Sequence, residues 1–320
     1  MEVRMGDIER VNLLVNIARL YYEHSYNQQD IANKLGLSRP YVSKLINEAK
    51  ESGIVEIKIN DPYETETFLE LELRRRFNLK KVVVVPSPND SRQKLDKVAA
   101  AAARYLNGIV KDNDIVGVAW GATLYCVSRH IIPRDDVKNI TIVQLCGGIS
   151  NINKNIFASE ITRNISEAYN GTPYILPLPA VVDDSKVKNA MLKDKNINNV
   201  LNMAKKSNIA IFTMGTFGYE GALHRAGYIS TKEVDELIQK GAVGDLCTRI
   251  LNADGKICDQ ELDERTIAID LYELMRKEYR IAVVTGTERM KCIHAALKGG
   301  YPNVLITDEE TALGIQKMNG

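Results

Sequence analysis

The stretch between residues 38 and 47 carries side chains that could contact nucleic acid. It combines an aliphatic stripe at helical spacing with a polar face, which consists of Arg39, Tyr41, Ser43, Lys44 and Asn47. On a helix in a major groove, such side chains reach base edges and phosphate oxygens. No acidic residue occurs between Lys34 and Asn47, whereas an ordinary solvated face more often carries Glu/Lys pairs. The pattern therefore favours DNA recognition over a plain pair of packed helices.

Presenting that face requires a helix-turn-helix, and the flanking residues supply one. Asn27 is suited to cap a first helix, and Gly36 to end it in a left-handed conformation. Ser38 is suited to cap the second helix, in which Pro40 occupies the first turn, where a missing N–H costs nothing. The spacing predicts two short helices joined by a glycine turn.

Two further elements complete the predicted module. An upstream helix with Val11, Leu14 and Ile17 would bury the other side, and the alternating residues 53–59 predict a short strand or wing. Residues 1–59 are thus predicted to form a winged helix-turn-helix. Its predicted DNA contacts are Gln28, Ser38, Arg39, Tyr41, Ser43, Lys44 and Asn47.

Four glycine-containing segments follow predicted strands in the rest of the chain. Alternating strand and helix patterns indicate a parallel sheet, with strands at 81–85, 114–119, 141–145, 174–178, 209–214, 281–285 and 304–306. The glycine segments are 120–123, 146–148, 215–218 and 286–289. Glycine after a strand is usually turn chemistry. Ligands, however, bind at the carboxyl ends of parallel strands, and Thr123 and Arg289 begin predicted helices, so together the segments predict a site for a phosphate-bearing ligand.

Length and charge set the domain organisation. A chain of 320 residues exceeds one small module, so we expect domains at 1–59 and 81–320 joined by a linker helix at 60–80. Phe68, Leu71 and Phe77 give that helix apolar surface for contacts between protomers. Because the net charge of the whole chain is only +1, any positively charged surface for nucleic acid must be local. The sequence contains no 18-residue apolar run and no signal peptide. The sequence predicts a cytoplasmic protein that binds no membrane.

Cysteine and histidine usage predicts no metal and no cofactor. Five cysteines without a C-x-x-C pair are typical of a reducing compartment, and four histidines are scattered without the ligand spacings of common zinc sites. The segment at 252–256 resembles a cation loop only weakly, because Lys256 stands where a third oxygen ligand is needed. We expect a β-turn between two strands there.

Longer motifs carry a resemblance to a known family. They are Ala18-Arg-Leu-Tyr-Tyr22, Asn27-Gln-Gln-Asp-Ile-Ala32, Leu37-Ser-Arg-Pro-Tyr-Val-Ser43, Gly53-Ile-Val-Glu-Ile57, Trp120-Gly121-x-Thr123, Gln144-Leu-x-Gly-Gly148, Gly244-Asp245, Arg249 and the run 295–309. In this order they resemble the SorC family of bacterial sugar-responsive transcriptional regulators, which are DeoR-like. The resemblance covers nearly the whole chain.

The resemblance implies a fold, a ligand and an assembly. The expected fold class is α/β, with the winged helix-turn-helix joined to a Rossmann-like sugar-phosphate domain similar to ribose-phosphate isomerase and glucosamine-phosphate deaminase. The implied ligand is a phosphorylated sugar, and the implied assembly is a homo-oligomer, a dimer or tetramer, on operator DNA, as in a repressor. The effector-site positions are Gly121, Ala122, Thr123, Gly147, Gly148, Gly215, Asp245, Arg249 and Arg289.

Two departures and one alternative stay open. Many relatives carry Lys in the 286–289 loop where this chain has Arg289, which keeps the charge but changes its geometry to a fork. The sequence leaves open whether a lysine forms a Schiff base with an aldehyde effector. Position 146, beside the glycine pair, is Cys, and the nearest lysine in that segment is Lys154. The alternative function is a sugar-phosphate isomerase or deaminase with a DNA-binding head, in which Asp245 or Glu288 would be the acid/base. His224 could also be named, but a lone histidine near a loop is more often a satisfied surface or core residue. A purely structural DNA-bridging protein would leave the glycine segments unexplained.

Overall fold

The computed structural model describes residues 5–55, 66–148 and 157–318. Contacts divide the chain into two compact units, Met1–Thr65 and Glu66–Gly320. Among the described residues, no helix combines the length and the apolar character needed to cross a membrane.

The first unit is helical. It contains α1 (Met5–Ala18), a π-helical turn (Arg19–Glu23), α2 (Gln28–Leu35) and α3 (Arg39–Glu51). The predicted caps are confirmed: the Asn27 carboxamide oxygen accepts hydrogen bonds from the N–H groups of Gln29 and Asp30, at 2.9 and 3.0 Å. Gly36 ends α2 with φ at 67°. The three helices enclose a separate core of Leu14, Ile17, Ala18, Leu20, Ile31, Ala32, Val42, Leu45, Ile46 and Ala49.

The first unit differs from the prediction at Val11, and only the start of the predicted wing lies within the described residues. Val11 was expected on the buried side of α1, but 48% of its surface is exposed, whereas Leu14 and Ile17 are buried. Val11 therefore lies on the outer face of the helix. Of the predicted wing, Ile54 and Val55 pack against the helical core, and residues 56–59 lie outside the described residues.

The second unit is built on a seven-stranded parallel sheet with a smaller antiparallel sheet. The strands are β1 (Lys81–Val85), β2 (Ile115–Val118), β3 (Thr141–Gln144), β4 (Thr172–Tyr174), β5 (Ile209–Phe212), β6 (Met214–Thr216), β7 (Ala242–Leu246), β8 (Arg249–Asn252), β9 (Tyr279–Val283) and β10 (Val304–Asp308). The large sheet has the order β1-β10-β9-β5-β2-β3-β4, and the small sheet has the order β6-β7-β8. Neighbours in the large sheet are parallel, as predicted.

Helices accompany the strands of this unit. Those described are α4 (Phe68–Arg76), α5 (Ser91–Ile109), α6 (Ala122–His130), α7 (Ala158–Ala168), α8 (Ser185–Met191), α9 (Lys195–Lys206), α10 (Ala222–Arg225), α11 (Thr231–Gln239), α12 (Gln260–Arg265), α13 (Leu271–Met275), α14 (Met290–Lys298) and α15 (Glu309–Lys317). Central strands such as β5 are buried at every position. This explains their continuous apolar runs, since a parallel sheet covered on both faces has no polar side.

The predicted strand at 174–178 is wrong beyond Tyr174. Pro177 and Pro179 cannot donate to a sheet, so the chain leaves β4 and follows an irregular path. Leu176 and Leu178 instead enter a small apolar cluster with Val182 and Ile267. The predicted strand at 209–214 likewise divides, because β5 ends at Phe212 and Met214 begins the antiparallel sheet.

The linker helix predicted at 60–80 is α4, and it docks on its own unit, while residues 60–65 lie outside the described residues. A capping box joins Thr67 to Glu70, whose carboxylate also accepts a hydrogen bond from the N–H of Val84 in β1, at 2.8 Å. Leu73 is fully buried and Phe77 packs against the core. Of the three apolar residues expected to contact another protomer, Phe77 is therefore covered by the core and Leu71 is half-buried, whereas Phe68 remains 79% exposed.

The segment at 252–256 forms the expected turn. The N–H of Asn252 donates to the carbonyl of Lys256 at 2.9 Å, and Leu251 pairs with Ile257 in antiparallel fashion. The Asn252 side-chain oxygen accepts from the N–H groups of Asp254 and Lys256, both at 3.0 Å. This oxygen is thus occupied in closing the hairpin.

Candidate functional site

The polar face of α3 is presented as the sequence predicts. Arg39, Lys44 and Asn47 are exposed, Ser43 is partly exposed, and Tyr41 retains 36% of its surface. The opposite face, with Val42, Leu45, Ile46 and Ala49, is buried in the helical core. Ser38 is exposed and caps α3 by accepting from the N–H of Tyr41, while Gln28 begins α2 and is partly exposed. The face has the chemistry of a groove-reading helix.

Arg10 on α1 supports this face, and sequence reasoning missed it. Its guanidinium donates to both carboxylate oxygens of Glu48, at 3.0 and 2.5 Å, and to the hydroxyl of Tyr41 at 2.7 Å. The hydrogen bonds from Arg10 lower the pKa of the Glu48 carboxyl. Arg10 therefore neutralises an acid on the recognition helix that would otherwise repel phosphate, and it holds the Tyr41 ring with its hydroxyl proton free to donate. Arg10 and Glu48 are far apart in the sequence and meet only in the folded unit, so no local sequence pattern indicates their contact.

Three of the four glycine segments of the second unit lie at one edge of the large sheet. β3, β2, β5 and β9 are consecutive neighbours and parallel, so the segments 146–148, 120–123 and 286–289, which follow β3, β2 and β9, share the carboxyl edge. The 215–218 segment instead begins within β6 of the antiparallel sheet. The chain proceeds from β2 outward to β3 and β4, and then returns to place β5 on the other side of β2. The gap between β2 and β5 is therefore a topological switch point, where open α/β sheets bind their ligands.

The α6 N-terminus opens onto this gap. Gly121 precedes the helix with φ at 124°, a conformation that side-chain-bearing residues rarely adopt, and it provides no side-chain cap. The first N–H groups of a helix lack intrahelical partners and carry partial positive charge, so they favour an anion. Ala122 is exposed here and Thr123 is buried.

Arg289 faces the same helix terminus. Its Nη1 donates to the Thr123 hydroxyl oxygen at 3.4 Å, and its Nε lies 3.5 Å from a carboxylate oxygen of Glu288. Arg289 retains 28% side-chain exposure. The structure thus brings one cation, one hydroxyl and a helix N-terminus together, which is a donor set suited to a phosphate.

Gly215 and Asp245 lie opposite each other in the antiparallel sheet. A Cβ at Gly215 would lie 2.0 Å from the Asp245 carboxylate, so any larger residue there would displace that side chain. Burial raises the pKa of Asp245 to about 6, and the N–H of Thr248 and the charge of Arg289 partly offset this effect. Asp245 therefore lies close enough to Arg289 for the guanidinium charge to act on its carboxylate.

The amides of Gly147 and Gly148 are already used. They donate to the carbonyls of Ile267 and Leu178, both at 2.9 Å. A Cβ on Gly147 would lie 2.1 Å from the carbonyl oxygen of Pro179. The expected role of these N–H groups as phosphate donors therefore does not hold in this structure, and close backbone packing explains why glycine is needed at position 147.

Arg249 is also placed elsewhere than expected. It is 3% exposed and donates to the carbonyls of Ile269 and Ala268, at 2.9 and 3.0 Å. It further donates to the carboxylates of Asp263 and of Asp270, the latter at 2.8 Å. With its donors engaged in this way, its guanidinium orders the segment at 266–270 and does not face the ligand gap.

Several polar atoms near the strand ends have no partner. In the described part of the chain, buried polar atoms without a hydrogen bond include Oγ1 of Thr213, Oγ1 of Thr248 and Nε2 of Gln144. Gln144 ends β3, Thr213 follows β5, and Thr248 lies between β7 and β8. Such atoms are rare in native structures and are explained when a ligand supplies the partner. For Thr213, the signal in sequence is a polar residue directly after a buried strand.

The other residues considered for acid/base catalysis, Glu288 and His224, make contacts of their own. The Glu288 carboxylate lies over Gly286, where a Cβ would meet it at 2.4 Å. His224 is engaged locally, since its ring nitrogens lie 2.9 Å from the carbonyl of Tyr219 and 3.3 Å from the hydroxyl of Thr231. Lys154, the nearest lysine to the 146–148 segment in sequence, lies outside the described residues.

Comparison with known proteins gives consistent matches. The Sugar-bind family model, which describes a sugar-binding domain, matches residues 61–316. A deoxyribonucleoside regulator of Bacillus subtilis (strain 168) is 41% identical over 307 residues, which are 96% of this chain and 97% of the relative. A sorbitol operon regulator of Klebsiella pneumoniae is 26% identical over 310 residues, which are 96% of this chain and 98% of the relative.

A solved structure extends the likeness to the fold. The crystal structure of the full-length sorbitol operon regulator SorC from Klebsiella pneumoniae aligns with a TM-score of 0.74 and 27% sequence identity. The alignment covers 96% of this chain and 99% of that one. The likeness therefore includes the helical unit as well as the α/β unit.

Proposed function

The chain belongs to the SorC family of sugar-responsive transcriptional regulators, and from that premise we propose that α3 reads an operator while residues 66–320 bind a phosphorylated sugar that controls operator affinity. The observation that carries the ligand proposal is the pairing of Arg289 with Thr123 at the N-terminus of α6. A phosphate there would receive the charge-assisted hydrogen bonds of a guanidinium and the partial charge of the helix.

The effector class follows from the most similar of the relatives described above. That protein is named a deoxyribonucleoside regulator, so we propose a phosphorylated 2-deoxyribose as effector of this chain. The phosphate would lie at Arg289, and Asp245 would accept a hydrogen bond from a sugar hydroxyl. Thermal-shift and calorimetric titration of 2-deoxyribose 5-phosphate, ribose 5-phosphate, sorbitol 6-phosphate and the free sugars tests this. Equal binding of 2-deoxyribose with and without its phosphate would overturn the phosphate site.

Under this proposal, regulation requires only that the sugar phosphate bind two arrangements of the protein with different affinities, and no reaction is catalysed. The sugar phosphate binds one arrangement of the assembly better than another, and that difference in binding free energy changes the affinity for DNA by linkage. We propose that the protein acts in the cytoplasm as a repressor released by its effector. Incubation of the sugar phosphate with the protein should return it unchanged, whereas an isomerase or deaminase would form product.

Arg39 is expected to contribute directly to operator binding. Arg39→Ala should weaken binding by about 1–3 kcal/mol, because one exposed arginine can donate two hydrogen bonds to a guanine. Gel-shift titration at fixed salt, on a fragment selected from random DNA by the wild-type protein, measures the change. Arg19→Ala, which removes the same charge from an exposed position outside α3, is the control and should have a smaller effect. Unchanged affinity of folded Arg39→Ala would exclude Arg39 from the contact.

The protein is expected to act as an oligomer. One helix-turn-helix covers only a half-site, and two heads on one assembly raise the effective concentration of the second contact. The aromatic ring of Phe68 on α4 is 79% exposed, so we propose that it lies in the contact between protomers. Light scattering should give at least twice the 35.8 kDa chain mass, and Phe68→Asp should lower it. Val187→Asp on α8 is the control, and a 35.8 kDa wild-type species with and without effector would contradict the proposal.

A further inference from the structure

Three side chains with different metal-binding atoms converge between α5 and α6. Asp96 comes from α5, while Cys126 and His130 are one helical turn apart on α6. The carboxylate oxygen, thiol sulfur and imidazole nitrogen all lie within 4.8 Å of one another. The Nε2 atom of His130 lies 2.7 Å from Oδ1 of Asp96. We propose that these three residues bind a zinc ion, or a similar borderline divalent transition metal, with water as the fourth ligand.

The spacing on α6 suits this role. Residues four apart on a helix lie on one face, so Cys126 and His130 can reach one ion without a change of backbone. Zinc bonds of roughly 2.0–2.3 Å in a tetrahedron place ligand atoms about 3.3–3.8 Å apart. The three ligand atoms lie at most 4.8 Å apart, so small changes of side-chain rotamer would bring them into that geometry. The sequence prediction of no metal considers only the ligand spacings of common zinc motifs, and these do not include the Cys-x-x-x-His pair.

The ligand chemistry selects the class of ion. Thiolate and imidazole suit zinc and its neighbours, whereas magnesium and calcium prefer oxygen ligands throughout. Binding releases the thiol proton to solvent as the sulfur–metal bond forms, so Asp96 and the Cys126 thiolate together balance the charge of a divalent ion. Asp96 and His130 keep 62% and 32% side-chain exposure, which gives the ion an entry path from solvent.

The test uses Co²⁺ as a spectroscopic probe on the full chain without a histidine tag. A thiolate-to-cobalt charge-transfer band with the visible bands of tetrahedral Co²⁺ is expected, and Zn²⁺ should displace them. Cys126→Ser should abolish the charge-transfer band, and His130→Gln should weaken binding by about tenfold or more. Zn²⁺ should also raise the melting temperature of the wild type, because a ligand of the native state stabilises it.

The control variant is Cys258→Ser. Cys258 is a half-buried thiol of the same unit, with its sulfur 3.5 Å from the carbonyl of Lys240. This variant should keep the charge-transfer band in full. Absence of the band in the wild type, or its persistence in folded Cys126→Ser, would overturn the proposal and leave Asp96 and His130 as an ordinary ion pair.

Discussion

Replacing Arg249 by Met is expected to lower the free energy of unfolding of the α/β unit by about 3–4 kcal/mol. The guanidinium is 3% exposed and donates to Asp263, Asp270 and two carbonyls. Methionine fills similar volume but leaves the carbonyls without donors and the Asp263 carboxylate, at 19% exposure, without its counter-charge. Urea denaturation followed by circular dichroism measures the loss.

Arg249→Met should also weaken effector binding indirectly, although Arg249 does not face the gap between β2 and β5. Arg249 holds the carbonyls of Ala268 and Ile269, and this segment pairs with the 145–147 segment through the Cys146–Ala268 bridge and the hydrogen bond from Gly147 to Ile267. The Gly147 carbonyl in turn accepts a hydrogen bond from the Trp120 indole N–H, at 2.8 Å, directly before the N-terminus of α6. We therefore expect weaker effector binding in Arg249→Met even where the protein is folded. Arg249 acts as a positioning residue for the glycine segment.

Two variants make the Arg249 prediction decisive. Arg249→Lys keeps the charge but cannot reproduce the fork, so it should recover only part of the stability. Arg276→Ala is the matched control, because Arg276 is 64% exposed and its ion pair with Glu273 is 3.8 Å long. Its effect should stay within about 0.5 kcal/mol. A loss in Arg249→Met no larger than that of the control would contradict the structural role.

Arg289→Ala is expected to weaken binding of 2-deoxyribose 5-phosphate by at least about 1.5–3 kcal/mol, roughly 10- to 150-fold. Arg289 is the cation that reaches Thr123 at the N-terminus of α6, and a phosphate there would lose a two-point, charge-assisted contact. Operator affinity in the absence of sugar should stay nearly unchanged. Isothermal titration calorimetry measures the sugar affinity, and gel shift measures the DNA affinity.

The controls separate a phosphate contact from a general loss of charge. Lys291→Ala removes an exposed cation two residues further along the chain and should leave the sugar affinity intact. Arg289→Lys should bind with intermediate affinity, since a point charge replaces the fork. Free 2-deoxyribose should bind wild type and Arg289→Ala alike. If Arg289→Ala binds the sugar phosphate as tightly as wild type does, the phosphate lies elsewhere.

Local signals explain which parts of the structure could be predicted. The caps at Asn27 and Ser38 and the left-handed Gly36 act within four residues, so the sequence alone sets the two helices of the reading head. The parallel strands were recognisable because burial on both faces demands continuous apolar runs. Their shared carboxyl edge then placed Thr123 and Arg289 on one side of the sheet.

Features set by tertiary contacts could not be predicted. Arg10 and Arg249 bind partners that lie on other elements, so no local spacing identifies those partners. The antiparallel sheet could not be predicted as a whole, although a turn between two strands was expected at 252–256. Its strand β6 has only three residues, and β7 contains Gly244, which Cys292 packs against so closely that no side chain would fit. Gly147 resembled an anion-binding glycine in sequence, yet backbone packing against Pro179 accounts for it.

The pairing of β1 with β10 has a consequence for the order of events during synthesis. Lys81 pairs with Val304, so the first strand of the α/β unit finds its neighbour only after some 220 further residues have left the ribosome. The β2, β3 and β4 pairs form between closer segments and can assemble earlier. A nascent or prematurely terminated chain therefore exposes the edge of β1, a site for aggregation or chaperone capture, while its helical reading head is already complete.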